Sequence, residues 1–208
     1  MIENRRTNDP QGVRRRIVDT AYDAFVRQGY IATGMMEIRE KASVSGGAMA
    51  HHFPAKRELG LAVIRDRVSH AVQQTWIEPL DACVDAPAAI AMIFEGIIGE
   101  LADKGAVSGC PLNNMAMEVS PHDPEMRVAL GEIFAAWHDA LSAKFQADLT
   151  SGRASDIDPS RLATLVIATY SGAMAMAKAH QNVRPLVDSR TELAALLALK
   201  YHTAPPAG

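Results

Sequence analysis

Few side chains in this sequence stand where they could do chemistry. His51 and His52 are adjacent, so on a helix they diverge by about 100° and lack the spacing of a metal-binding pair. No phosphate loop, dinucleotide fingerprint or zinc-hydrolase motif occurs. No metal site, catalytic residue or cofactor is expected, and an all-α enzyme using Cys110 with a distant histidine is the minor alternative. Cys110 precedes Pro111 at a helix start, where the helix dipole favours thiolate and would suit an electrophile or oxidant sensor. The alternative reading is a small, buried packing residue. Thr33 stands at another helix start, where its hydroxyl and the unpaired backbone N–H groups can hold a phosphate. Lys56 opens a later helix and can pair with a second one. The chemistry on offer is the holding of a polyanion.

Charge is distributed to match. The chain of 208 residues has a net charge of -3, but residues 1–67 carry +4 and residues 68–208 carry -7. A basic head on an acidic body suits a protein that meets nucleic acid with one end. Two cysteines, Cys83 and Cys110, are too few for a disulfide framework, and no signal peptide is read at the start, so a reducing cytoplasm is expected. No apolar run approaches the roughly 18–20 residues that would span a bilayer, and no membrane partner is expected.

The elements that must position these groups read as helices throughout. Aromatics are 5% of the chain, and Ala, Leu, Ile, Val and ten Met must build the core, a mix that favours helices over sheets. After a polar arm over residues 1–11, Ile17, Ala21, Ala24 and Phe25 mark one face of a helix over 14–28, which Gly29 stops. A short helix holds Met35, Ile38 and Ala42. Ser43-Val44-Ser45 is a tight turn, and Ser45 caps a third helix over 46–53. Pro54 breaks it, and a longer helix runs from about 56 to 79. Further helices are expected over about 87–103, 111–119, 124–149, 159–181 and 186–201, with a polar, flexible connection over 150–159 and a frayed tail over 203–208. The expected class is all-α with about nine helices. The expected division is a helix-turn-helix domain over 1–55 and a larger domain over 56–208.

Two short helices about the turn at 43–45 form a helix-turn-helix, in which the second helix enters the major groove. Val13–Phe25, Gly29-Tyr30-Ile31-Ala32-Thr33, Ile38, Ala42, Val44-Ser45 and His51-His52-Phe53-Pro54-Ala55-Lys56-Arg57-Glu58-Leu59 together resemble the N-terminal domain of TetR-family regulators. The resemblance covers about residues 13–65. It implies a dimer that reads two half-sites of a double-stranded DNA operator, with the third helix as recognition helix and Lys56 as the phosphate-binding lysine. It places Ser45, Gly46, Gly47, Ala48, Ala50, His51 and His52 at the DNA. The sequence departs from the family by carrying Ala48 and Ala50 where a hydroxylated residue and an aromatic are usual. So few groups can read base edges bidentately that specificity would draw on Ala contacts to thymine methyls, close backbone approach, His51, Met36, Arg39 and DNA shape. The other consequence is a TetR-fold ligand-binding protein with weakened or lost DNA recognition.

Gly109-Cys110-Pro111-Leu112-Asn113-Asn114-Met115-Ala116-Met117-Glu118 resembles the Gly-Cys-x-x-x-Asn-x-x-x-Glu segment of one TetR-family branch. The resemblance implies a helix beneath the DNA-binding domain that lines the pocket of a small-molecule inducer, apolar or electrophilic. Phe94, Cys110, Met115, Met117, Trp137, Tyr170 and Met174 are candidate walls, and Glu118 or His138 a polar anchor. The helices over 159–181 and 186–201 carry more apolar and small residues than one inward stripe needs. That fits a homodimer interface built from two copies of the pair.

Overall fold

A computed structural model describes residues 9–201. Among these residues there are nine helices and no strand. They are α1 (Pro10–Gln28), α2 (Met35–Lys41), α3 (Gly46–His52), α4 (56–82), α5 (Ala86–Lys104), α6 (Pro111–Val119), α7 (Pro124–Thr150), α8 (Pro159–His180) and α9 (Arg184–Ala198). Helix α4 is continuous but contains π-helical turns at Ile64–Val68 and Gln73–Ile77. It runs past Pro79 to Ala82, not stopping at the proline. The second π turn lies just ahead of Pro79, where a proline in any case removes one bond from the ladder.

Caps explain most boundaries. Asp9 accepts from the Gly12 amide at 2.8 Å, so α1 begins at Pro10. The expected arm is therefore shorter than residues 1–11, and its first eight residues lie outside those described. Asp85, Asp123 and Asp158 cap α5, α7 and α8 in the same way, each ahead of a proline in the first turn. The tail over 203–208 also lies outside the described residues.

The α1–α3 unit closes over Phe25, Ile38, Met49, Phe53 and Leu59, all buried. The larger core lies where α4, α5, α7 and α8 meet, around Phe94, Leu130, Trp137 and Phe145. The connection over 150–159 is held more tightly than its composition suggests. Asp148 is fully buried and accepts from the Ala86 amide at 2.7 Å, from Arg153 Nε at 3.0 Å and from the Tyr201 hydroxyl at 2.8 Å. Three segments are thereby tied to one carboxylate, whose burial costs little only because its lone pairs are used.

Helix α8 corrects the reading that no segment is apolar enough to cross a membrane, for by length and composition it is. Its apolar character has a different use here. One face, Ala163, Val166, Tyr170, Ala173 and Ala177, is buried in the protein. Leu165, Ala168, Gly172, Ala175, Met176 and Ala179 form a second, exposed stripe.

Candidate nucleic-acid interface and interdomain cavity

Helix α3 is oriented by one buried side chain. Met49 faces the small core, and Ser45 Oγ accepts from the Ala48 amide at 3.1 Å, fixing the helix start. This leaves Gly46, Gly47, Ala50 and His51 exposed and Ala48 and His52 half-buried. No contact within the chain demands glycine at 47, since a Cβ there would meet nothing within 4 Å. At Gly46 the nearest atom would be an Arg39 guanidinium nitrogen at 4.0 Å. The helix therefore presents bare backbone outward, a surface another backbone can approach closely. Met36 is exposed beside it, and Arg39 is half-buried and pairs with Glu40 at 3.2 Å.

Two expected phosphate ligands stand differently from one another. Thr33 is 1% exposed and its hydroxyl donates to the Gly29 carbonyl at 2.7 Å. It closes the 29–33 turn and offers no hydroxyl to a phosphate, which corrects the sequence reading. The mistake came from placing it at the helix end, whereas Gly34 is the N-cap of α2. Lys56 is half-buried. Its Nζ donates to the Ile31 carbonyl at 3.1 Å and sits 4.5 Å from the centre of the Tyr30 ring. Partial burial lowers its pKa, with nearby Glu118 opposing.

The 29–33 turn is gripped from the other side by α6. Glu118 accepts from the Ile31 amide at 3.0 Å. Gly29 adopts φ +92°, which favours glycine, and a Cβ there would lie 2.2 Å from Glu118 Oε1, so any side chain would also push Glu118 from its place. The Tyr30 ring packs where only glycine fits at 60, because a Cβ would stand 2.8 Å from it. Asn114 donates to the Ser108 carbonyl at 2.9 Å, holding the loop before α6. A second joint lies along α4. Arg57 forks onto Asp123 at 2.6 and 3.2 Å and reaches Glu125 at 2.8 Å, while Arg65 reaches Glu125 at 3.1 Å. Hydrogen bonding to Arg57 holds both carboxyls below their ordinary pKa.

Between α1, α6 and α8 lies a partly open cavity of about 690 Å³. Its walls include Phe25, Arg27 and Gly29 from the N-terminal unit and Cys110, Asn113, Asn114, Met117 and Glu118 from α6 and its start. Ser171, Met174 and Lys178 of α8 complete it. Of the expected walls, Cys110, Met117, Glu118 and Met174 are there. Met117 is at the rim, 82% exposed. Tyr170 borders a second cavity of about 280 Å³ behind Gly109, which Met174 also lines.

Phe94, Met115 and Trp137 line neither cavity, and for them the pocket reading is corrected. Trp76 fills the space. Its ring lies 4.7 Å from Trp137, 4.9 Å from Tyr170 and 6.0 Å from Phe94, an aromatic cluster that is core. Cys110 is also corrected as a ready thiolate. It is buried, and burial pushes its thiol pKa up despite the opposing effect of the Asn113 and Leu112 amides. His138 lines neither cavity and contacts Asp139 and the Ser160 carbonyl instead, which corrects its reading as a polar anchor. Arg27, Asn113, Ser171 and Lys178 were missed. Only their helical phase on three separate helices brings them together, and no local spacing signals that.

Comparison with known proteins agrees with this architecture. The sequence profile for bacterial regulatory proteins of the tetR family matches residues 17–63. That for the C-terminal domain of LmrA/YxaF-like transcriptional regulators matches residues 86–192. The HTH-type transcriptional repressor DhaR of Mycobacterium sp. (strain GP1) is 29% identical over 180 residues, covering 84% of this chain and 86% of that protein. The HTH-type transcriptional regulator LmrA of Bacillus subtilis (strain 168) is 23% identical over 176 residues, covering 84% of this chain and 90% of its own length. A crystal structure of a TetR transcriptional regulator from Chloroflexus aurantiacus J-10-fl superposes with a TM-score of 0.83 at 26% identity, covering 94% of this chain and 98% of the other.

Proposed function

This chain belongs to the TetR family of bacterial transcriptional regulators, and from that premise we propose that it is a cytoplasmic repressor that acts as a homodimer. Two copies of α3 read a near-palindromic operator, and a small molecule entering the interdomain cavity releases it. Residues 1–55 hold DNA, and residues 56–208 bind the ligand and dimerise. At the DNA, Lys56 and the outer face of α3 carry affinity, through phosphate pairing and close backbone approach at Gly46 and Gly47. Met36, Arg39, Ala48, Ala50, His51 and His52 flank that approach.

One observation supports the coupling above all others. The 29–33 turn is bound by Lys56 on one side and by Glu118 on the other, and Glu118 also lines the cavity. A ligand that displaces Glu118 loosens the turn on which Lys56 rests. A ligand shifts the equilibrium only by the difference in its affinity for the two states, so it must favour the displaced arrangement.

The test is selection of bound DNA from a random-sequence pool, with Lys56→Ala beside the wild type. Enrichment of a near-palindrome by the wild type, weakened at least tenfold in the variant, is the expected result. An absence of any enriched sequence at low salt would contradict the repressor reading.

A further inference from the structure

We infer that the interdomain cavity selects a small organic monoanion, a carboxylate with an apolar body. The carboxylate would be held by Lys178 and the Asn113 amide, with the body against Phe25, Met117 and Met174. The inference deepens the function proposed above, resting on its reading of this cavity as the effector site.

Three features of the walls point to the anion. Lys178 and Arg27 both line the cavity, and among the described residues neither forms a salt bridge with a carboxylate. The stem of Lys178 lies against Gly109, which has φ +90°, and a Cβ there would stand 2.9 Å from Lys178 Cδ. Asn113 supplies the third feature. Its Oδ1 accepts from the Ser171 hydroxyl at 3.3 Å, while its Nδ2 is buried with no partner. A buried donor left unmatched costs free energy that an incoming acceptor recovers.

The charge count sets the valence. Glu118 is the one acid among the residues that line the cavity, so two cations and one anion leave a balance of one positive charge. A monoanion neutralises that balance, whereas a dianion overshoots it. The size suits a ligand of modest length, because cavities of about 300–1,000 Å³ hold whole small molecules. Besides the polar Gln28, Asn114 and Ser171, the remaining walls are apolar and include two methionines, which adapt to different bodies.

Calorimetric titration of the full chain tests the inference. The probes are octanoate and phenylacetate, set against the neutral counterparts 1-octanol and 2-phenylethanol. Saturable binding of at least one carboxylate, about tenfold or more tighter than its alcohol, is expected from a charge-assisted contact. In Lys178→Met and in Asn113→Leu that preference falls severalfold, while thermal melting confirms that each variant is folded. Equal binding of acid and alcohol, no saturable carboxylate binding, or a preference that survives both substitutions would overturn it. Operator affinity is measured separately in the same solutions. Carboxylate binding that leaves operator affinity unchanged upholds this inference and counts against the repressor reading. Operator release by the alcohol alone does the reverse.

Discussion

Glycine at 46 and 47 is the residue choice that most separates structure from use. Neither position has a steric neighbour inside the chain that calls for it, and glycine near a helix start is no help to the helix. Gly47→Ala is expected to leave thermal stability unchanged, or raise it by less than about 1 kcal/mol, while weakening binding to the selected operator by tenfold or more. A variant that binds DNA as well as the wild type would remove close backbone approach from the reading mechanism. Cys110 allows a second expectation. Its buried, raised thiol should resist iodoacetamide in the native protein while half-buried Cys83 reacts first; mass spectrometry of the alkylated chain reads the order. At this scale the sequence was legible where local rules suffice, as in Ser45 as a cap or Gly29 as a stop. It misled at Thr33, where burial overrides a favourable position near a helix end, and it left Cys110 open between thiolate and packing residue until burial decided for the latter.

Helix α4 joins the two units, and its ion pairs with the start of α7 act as one joint. Asp123 both caps α7 and receives the fork of Arg57. The Asp123 and Glu125 carboxyls are held below their ordinary pKa by Arg57 first of all. A depressed folded pKa contributes stability above the ordinary carboxylate value, and that stability is lost as pH falls through the folded value. The difference in melting temperature between wild type and Arg57→Gln should therefore be present near neutrality and shrink below about pH 4. A difference that stays constant from pH 7 to 3 would mean that the joint stabilises through packing alone. Helix existence was legible here from periodicity. The extension of α4 past Pro79 was not, because π-helical turns leave no signature in residue spacing. Nor was the role of Trp76, whose ring completes the core cluster assigned by sequence to a pocket.

At the scale of the molecule, a basic head and an acidic body are joined by the 29–33 turn and the α4–α7 joint. Helix α8 shows a second apolar stripe outward. Gly172 in that stripe has open space where a side chain would stand, which fits close approach by another helix. Leu165→Glu is expected to convert dimers to monomers by light scattering at micromolar concentration, with helicity kept because Leu165 is exposed within one chain. Retained dimers would place the interface elsewhere. Ala175 and Ala179 line the cavity and also belong to this stripe, so ligand site and proposed dimer face share an edge. The all-α class was legible in pattern. The cavity between the units was not, since it exists only where three helices from distant parts of the chain converge.

The most direct measurement is native mass spectrometry of the protein bound to the operator duplex recovered by selection, with Leu165→Glu in parallel. Two copies of the chain on each duplex, or a whole multiple of two, are expected, because two recognition helices about 34–36 Å apart must share one two-fold site. The variant should lose the complex. A single copy per duplex, bound as tightly by Leu165→Glu as by the wild type, would contradict the account of a dimeric operator reader.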